Sequence, residues 1–427
     1  MNQLINTLQH IFYTKNLRDK ILFTIAILVL FRVLAHITIP GADVTSIKNL
    51  IAQQGQSALG VFSLLTGGAM ENFSVVLMGL TPYINAAIIM QLLGVIVPSL
   101  ENLKKEGEAG QQKLNQYTRR LTVPLAFVQS YGMMVLINRF SPTPIVDTTD
   151  WTLMLPMMLT VTAGTMLLVW LGELISEKGI GNGISLLIFA GIVSTVPQQI
   201  AGAFQSASLP ILLLLILATI ILTIFVVYVT EADRKVPVVY ASKKSSQQQR
   251  SFLPLKINQA GMIPIIFAIS LVSFPSIMAQ LAQNSPSLSG VSDWIGANLN
   301  PASPTLVYNV IYFLLIYGFT FFYVSIVFDP KKMAENIQKR SGFIPGYRPG
   351  TETENLLEGI MNRLCFWGAL FLASVAILPL LFQQALGGGS SVALFISGAG
   401  IIIVVSVVLD LIRRINAHLV MHDYDKL

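Results

Sequence analysis

Charge is scarce in this chain. Only 11% of its 427 residues are Asp, Glu, Lys or Arg, against about one quarter in an ordinary soluble domain. That composition excludes a wholly water-surrounded globule. Cysteine is scarcer still: Cys365 stands alone in an apolar stretch, so no disulfide can form within the chain. Segments of alternating polarity about ten residues long are missing, which excludes the strands of a membrane barrel. No phosphate-binding loop is present, so any nucleotide hydrolysis must come from a partner. No Asp–His or Glu–His pair lies within an apolar segment, which removes the basis for an intramembrane protease or a proton relay. The same scarcity argues against an ion-coupled transporter, which carries ionisable groups near the bilayer midplane.

Long apolar runs, by contrast, are abundant. Hydrophobic residues make up 53% of the chain, and the mean hydropathy is +0.67. Runs of about 17–25 apolar residues recur along its length, as transmembrane helices require. Ten candidate spans cover 21–39, 73–97, 121–137, 151–171, 184–204, 209–229, 257–281, 306–328, 364–382 and 392–412. The third is the least apolar, with Gln129 and Ser130 at its middle. Lys15, Arg18 and Lys20 precede the first run, which is long and lacks a small-residue cleavage site, so it reads as a retained span.

Basic residues orient these spans. With the N-terminus in the cytoplasm, 24 of the 27 Lys and Arg residues fall inside; Lys48 and Arg139 fall outside, and Arg32 lies within the first span. The formal charge of +6 and pI near 9.3 are then a loop bias, not a nucleic-acid signature. Two inside loops, 230–256 and 329–363, are long and basic. They carry more charge than topology needs, which points to a large docking partner. Ten spans divide as five and five, and an odd number per half reverses the entry side of the second. An inverted repeat about an axis in the membrane plane is therefore expected, with halves 1–205 and 206–412 and a cytoplasmic tail 413–427.

Three local patterns resemble chemistry without its full requirements. "EKGIGNGIS" (177–185) follows no strand and has the wrong spacing for a dinucleotide loop; it reads as a tight turn in which Gly181 or Gly183 takes positive φ. "HLVMH" (418–422) spaces two histidines one helical turn apart but lacks the glutamate of a metalloprotease. Arg32, about two-thirds of the way across its span, is expected either to snorkel outward or to pair with a polar group in the bundle. Asp410 and Glu173 fall at cytoplasmic span ends, where charge is ordinary. "FSLLTGGAMENFS" (62–74) is odder: an apolar stub too short to cross a bilayer, broken by Gly67-Gly68 just before a long span.

Six stretches taken together resemble the SecY/Sec61-alpha family of protein-conducting channels: "IPGAD" (39–43), "GLTPYINAAIIMQLL" (79–93), "KKEGEAGQQKLNQYTR" (104–119), "GTMLLVWLGELISEKGIGNGISLLIFAGIV" (164–193), "LPLKINQAGMIPIIFA" (253–268) and "FIPGYRPG" (343–350). They occur in the family's order and cover nearly the whole chain. The compact C-terminal tail and short loops depart from the pattern, which bears on partner contacts more than on the pore. The resemblance implies an all-α polytopic membrane fold of ten helices, in two inverted pseudo-symmetric halves clamped around a central pore. It implies no cofactor, no metal and no catalytic residue, and a place in the cell membrane with both termini cytoplasmic. It also implies a pore ring of Leu80, Ile84, Ile184, Ile188, Met262, Ile266 and Ile403. A plug over about 57–72 would include Phe62, Leu64, Leu65, Gly67 and Gly68, hinged at Gln56-Ser57 and Gly67-Gly68, with Glu71-Asn72 capping the next span. A polar cluster of Asn85, Gln129 and Asn258 would bridge a lateral gate. Lys243, Lys244, Arg250, Arg340 and Arg348 would meet cytoplasmic partners. Those partners are the SecA ATPase, the ribosome and signal sequences of preproteins, alongside SecE, SecG, membrane lipid, YidC and SecDF. A secondary transporter for an apolar solute is the competing reading.

Overall fold

The computed structural model describes residues 15–40, 66–70, 72–140, 150–206, 208–240, 249–282, 289–299, 305–385 and 397–424. In chain order its elements are α1 (Lys15–Leu34), α2 (Thr81–Ile96), α3 (Pro98–Lys105), α4 (Glu108–Phe140), α5 (Trp151–Lys178), α6 (Gly183–Ser206), α7 (Leu209–Glu231), β1 (Asp233–Tyr240), β2 (Gln249–Lys256), α8 (Ile263–Ala282), α9 (Ser289–Asn298), α10 (Leu306–Val327), α11 (Pro330–Lys339), β3 (Gly342–Phe343), α12 (Thr351–Ala385) and α13 (Gly398–Tyr424). Each of the ten expected spans falls on one of these helices, α1, α2, α4 to α8, α10, α12 and α13. Among the described helices, α5, α6, α7, α10 and α12 are each long and apolar enough to cross a membrane alone. α2 and α3 pass that test together, with a bend of 103° between them. α1, α4 and α13 carry charged ends on their apolar segments, and the apolar part of α8 is short.

Local chemistry explains the helix ends. Pro82, Pro98, Pro210 and Pro330 occupy first-turn positions, where a missing N–H is harmless. The Asp150 carboxylate accepts from the Thr152 N–H at 2.9 Å and so caps α5. Within the spans, hydroxyls of Thr122, Thr162, Thr219 and Thr320 donate to carbonyls one turn back. Hydrocarbon offers these groups no water, so the helix itself satisfies them.

The second span is shorter than the apolar run suggests. Residues 73–80 form turns, and α2 begins at Thr81. Phe73 and Gly79 have φ of +43° and +54°, which no helix tolerates. The Ile39 N–H donates to the Phe73 carbonyl and the Val75 N–H to the Ile37 carbonyl, both at 3.0 Å, so this backbone is spent on a short antiparallel bridge.

The chain divides into two compact units. One comprises Met1–Ser206, Ser270–Tyr308 and Val407–Leu427; the other comprises Ala207–Ile269 and Asn309–Ser406. The first contains a buried cluster of Ile39, Met70, Phe73, Leu77, Met134, Met154 and Met158 with their neighbours. The unbranched methionines suit its irregular gaps. The second contains the only strands among the described residues, in the order β2-β1-β3. β1 pairs antiparallel with β2, setting Val236 opposite Leu253, and antiparallel with β3, setting Tyr240 opposite Gly342. Beneath lie Val236, Val238, Leu255, Ile337, Ile344, Leu357 and Met361. The two long basic loops are thus stitched into one sheet with its own core.

Candidate functional site

Gly67 and Gly68 lie in a turn with φ of +68° and +77°; Phe62, Leu64 and Leu65 lie outside the described residues. Gly67 lies so close to α6 that a Cβ built on it would stand 2.7 Å from the Cα of Gly191. Only glycine permits this approach. Arg32 completes the contact from α1. Its Nη1 donates to the Gly67 carbonyl at 2.7 Å and lies 2.9 Å from the Ser194 Oγ. Pairing inside the bundle, not snorkelling, is therefore what Arg32 does. The expectation that Asn72 caps the next span is corrected: its amide donates to the Ala35 carbonyl at 3.4 Å, and the N-cap position of α2 is Leu80, with no side-chain cap. The intervening turns put Asn72 too far from Thr81 in sequence to serve. Glu71 lies outside the described residues.

The proposed ring residues divide between the two units, with Leu80, Ile84, Ile184 and Ile188 in the first and Met262, Ile266 and Ile403 in the second. The Ile84 N–H donates to the Leu80 carbonyl at 3.0 Å, and the Ile266 N–H to the Met262 carbonyl at 3.3 Å. Each of these pairs therefore sits one helical turn apart, on one face. Ile184 and Ile188 have the same spacing on α6. Leu80, Ile188 and Ile403 are buried, and the other four are partly buried. In the turn before α6, the Asn182 carboxamide oxygen accepts from Ile184 N–H at 3.1 Å and caps the helix.

The expected polar cluster also divides. Asn85 on α2 is partly buried, and Gln129 on α4 has a buried Oε1 without a hydrogen-bond partner among the described residues. Asn258 is not on a helix. It lies in the turn before α8, where its Oδ1 accepts from the Gly261 N–H at 2.9 Å and its buried Nδ2 is unpartnered among the described residues.

On the basic loops, Lys243 and Lys244 lie outside the described residues, and Arg250 lies on β2. Arg340 is exposed at the C-cap of α11. Arg348 is exposed on a loop held at both of its backbone polar groups. Its N–H donates to Glu352 Oε2 at 3.0 Å, and its carbonyl accepts from Thr353 Oγ1 at 2.9 Å. Glu352 and Thr353 belong to the first turn of α12, a support that sequence reading missed.

A profile of the SecY family matches residues 74–412. The chain belongs to the SecY family. It is 41% identical to the protein translocase subunit SecY of Corynebacterium glutamicum over 97% of this chain and 98% of that one. It is 39% identical to the subunit of the same name from Thermotoga maritima, over 97% and 95%. Among solved structures it resembles one described as "The structure of a protein conducting channel", with a TM-score of 0.66 at 20% identity, covering 93% of this chain and 91% of that one. Another, described as "Sec61 in the Canine ribosome-channel complex from the endoplasmic reticulum", gives a TM-score of 0.64 at 19% identity over 93% and 91%. The fold is the helical polytopic membrane fold of those channels. The chain is a multi-pass membrane protein of the SecY type, a protein-translocation channel.

Proposed function

We propose that the chain is a passive pore for unfolded preproteins. Its seal is the aliphatic ring of Leu80, Ile84, Ile184, Ile188, Met262, Ile266 and Ile403, and its stopper is the segment around 57–72. The physical demand is a closure that grips nothing. Charges lining a pore would hold a passing chain and conduct ions. Aliphatic side chains dewet the gap when it is empty and offer a passing chain no hydrogen bonds. The observation that carries this reading is the seat of Gly67 against Gly191. Gly191 is three residues beyond Ile188 on α6, about 4.5 Å along the axis. With α6 running outward, the turn that ends the stopper rests just outside a ring position.

Under the same reading the halves 1–205 and 206–412 part at a seam containing Asn85, Gln129 and Asn258, which lets apolar segments leave sideways into lipid. Both termini and the joined basic loops face the cytoplasm, because that orientation puts 24 of 27 Lys and Arg inside. The joined sheet, with Arg250, Arg340 and Arg348 and the neighbouring Lys243 and Lys244, suits a motor such as SecA or a ribosome. One structural neighbour is described as a ribosome-channel complex. SecE and SecG are the expected small companions, with YidC and SecDF further afield. Catalysis is left to the partner, since the chain has no phosphate-binding loop.

The ring is tested by changing Ile84, Ile188 and Ile403 together to serine and recording current across planar bilayers. A rise in ion leak through the resting channel is expected, because hydroxyls wet the constriction. Unchanged conductance would remove these residues from the seal.

A further inference from the structure

Arg32 is the only charged side chain in the first apolar segment, 21–39. A cation there needs acceptors, since the hydrocarbon supplies none. It borders an open apolar groove lined by Ile25, Leu28, Val29, Val33 and Ile37, none of which can accept a hydrogen bond with its side chain. His36 is nearby, but its Nδ1 is engaged with the Arg32 carbonyl at 2.8 Å. Among the described residues, the cation's partners are the Gly67 carbonyl at 2.7 Å and the Ser194 Oγ at 2.9 Å. Ser194 has one hydroxyl proton, and its shortest acceptor is the Gly191 carbonyl at 2.6 Å. With the proton directed there, its lone pairs face Arg32. The guanidinium therefore ties α1, α6 and the Gly67 turn together.

This arrangement is biased toward one state. While Gly67 lies on Gly191, its carbonyl meets the cation in a charge-assisted bond. When the turn lifts, the carbonyl leaves and the cation keeps a single hydroxyl in apolar surroundings. Opening must repay that loss. We propose that Arg32 is a positioning residue that latches the Gly67 turn onto α6 and so sets the threshold for opening the channel. The proposal rests on the plug reading above.

The test compares five forms of the channel, reconstituted with the small subunits that co-purify with it: wild type, Arg32→Leu, Arg32→Lys, a deletion of 57–68, and Arg32→Leu combined with that deletion. Resting ion conductance is recorded in planar bilayers, and translocation is assayed for a preprotein with a weakened signal sequence. Arg32→Leu is expected to raise resting conductance on the order of tenfold, as loss of one charge-assisted bond from the closed state implies, and to admit the weakened preprotein. Arg32→Lys should restore part of the seal, because an ammonium still donates to the Gly67 carbonyl. The deletion should raise conductance by itself, and Arg32→Leu should add nothing to it. If the deletion leaks and Arg32→Leu alone does not, the latch is overturned and the plug reading stands. If Arg32→Leu adds its full factor to the deletion, Arg32 acts elsewhere and the latch is overturned too. A deletion that leaves conductance unchanged removes the plug and the latch together. Should Arg32→Leu fail to assemble, Arg32→Lys and Ser194→Ala decide by the same recording: a rise above wild type supports the latch, and wild-type conductance in both overturns it.

Discussion

Asn85 directly follows Ile84, a member of the proposed ring, on α2 and is partly buried. An interhelical hydrogen bond in lipid contributes about 0.6–2 kcal/mol, enough to hold a seam closed and little enough for an entering signal sequence to overcome. With Asn85 in the proposed gate, Asn85→Leu is expected to shift the hydrophobicity a signal sequence needs for acceptance. A graded series of signal sequences measures it, and an unmoved threshold would exclude Asn85 from the gate. Other single residues show where sequence reading stops. The glycines of "EKGIGNGIS" announce a turn, and Gly181 uses its freedom in the expected way, with φ of +92°. Gly183 is glycine for a different reason: a Cβ there would run into the Gly172 carbonyl and stand 2.7 Å from the Ile175 Cβ. Positive φ follows from a residue's own turn, whereas a close approach depends on what another helix brings to it. For the same reason the sequence marks Arg32 as anomalous but does not name Gly67 and Ser194 as its partners.

At the scale of elements, helices in this chain announce themselves, since every expected span falls on one. The strands do not. β1 and β2 are eight residues each and sit between basic, polar stretches, so their apolar alternation is easily taken for loop. β3 has only two residues, Gly342 and Phe343, and no periodicity marks so short a piece. Its partner strand lies about a hundred residues away and alone makes it a strand. Beside it, α11 is fastened by Asp329, whose carboxylate accepts from the Lys332 N–H at 3.1 Å. That backbone bond is the main reason the carboxyl is held below its ordinary 3.8. Removing the cap by Asp329→Ala should lower stability by about 1 kcal/mol at neutral pH. A carboxyl depressed by folding stabilises above its unfolded value and loses that effect as pH falls through the folded one. The difference between the two proteins should therefore vanish on acidification below the carboxylate range. Thermal unfolding of both in detergent, followed against pH, measures it; a gap that persists in acid would rule out the carboxylate as its source.

The whole molecule joins its two basic loops in one sheet, over a core that includes Val238, Leu255, Ile344 and Leu357. A partner touching one loop therefore touches a body continuous with the other. Arg348 stands on this body with its backbone held by Glu352 and Thr353 and its side chain exposed. Little ordering entropy remains to be lost when a partner's acidic group meets it. Arg348→Glu reverses the charge on that fixed loop, and the rate of SecA-driven preprotein translocation should fall well below wild type. A salt series tests the cause, since a charge effect shrinks as ionic strength rises. An unaltered rate would remove Arg348 from the proposed docking surface.

Residue composition and order by themselves determined that the chain crosses a membrane repeatedly and where its helices run. Those properties arise because each span must be apolar and must satisfy its own backbone in hydrocarbon, and both conditions act on contiguous residues. Only the tertiary structure decided what spans and loops do to one another: Arg32 held by Gly67 and Ser194, α2 shortened by a bridge to residues 37–39, and two distant loops closed into one sheet. Each depends on groups far apart in the chain meeting within a few ångströms, and no local periodicity encodes such a meeting.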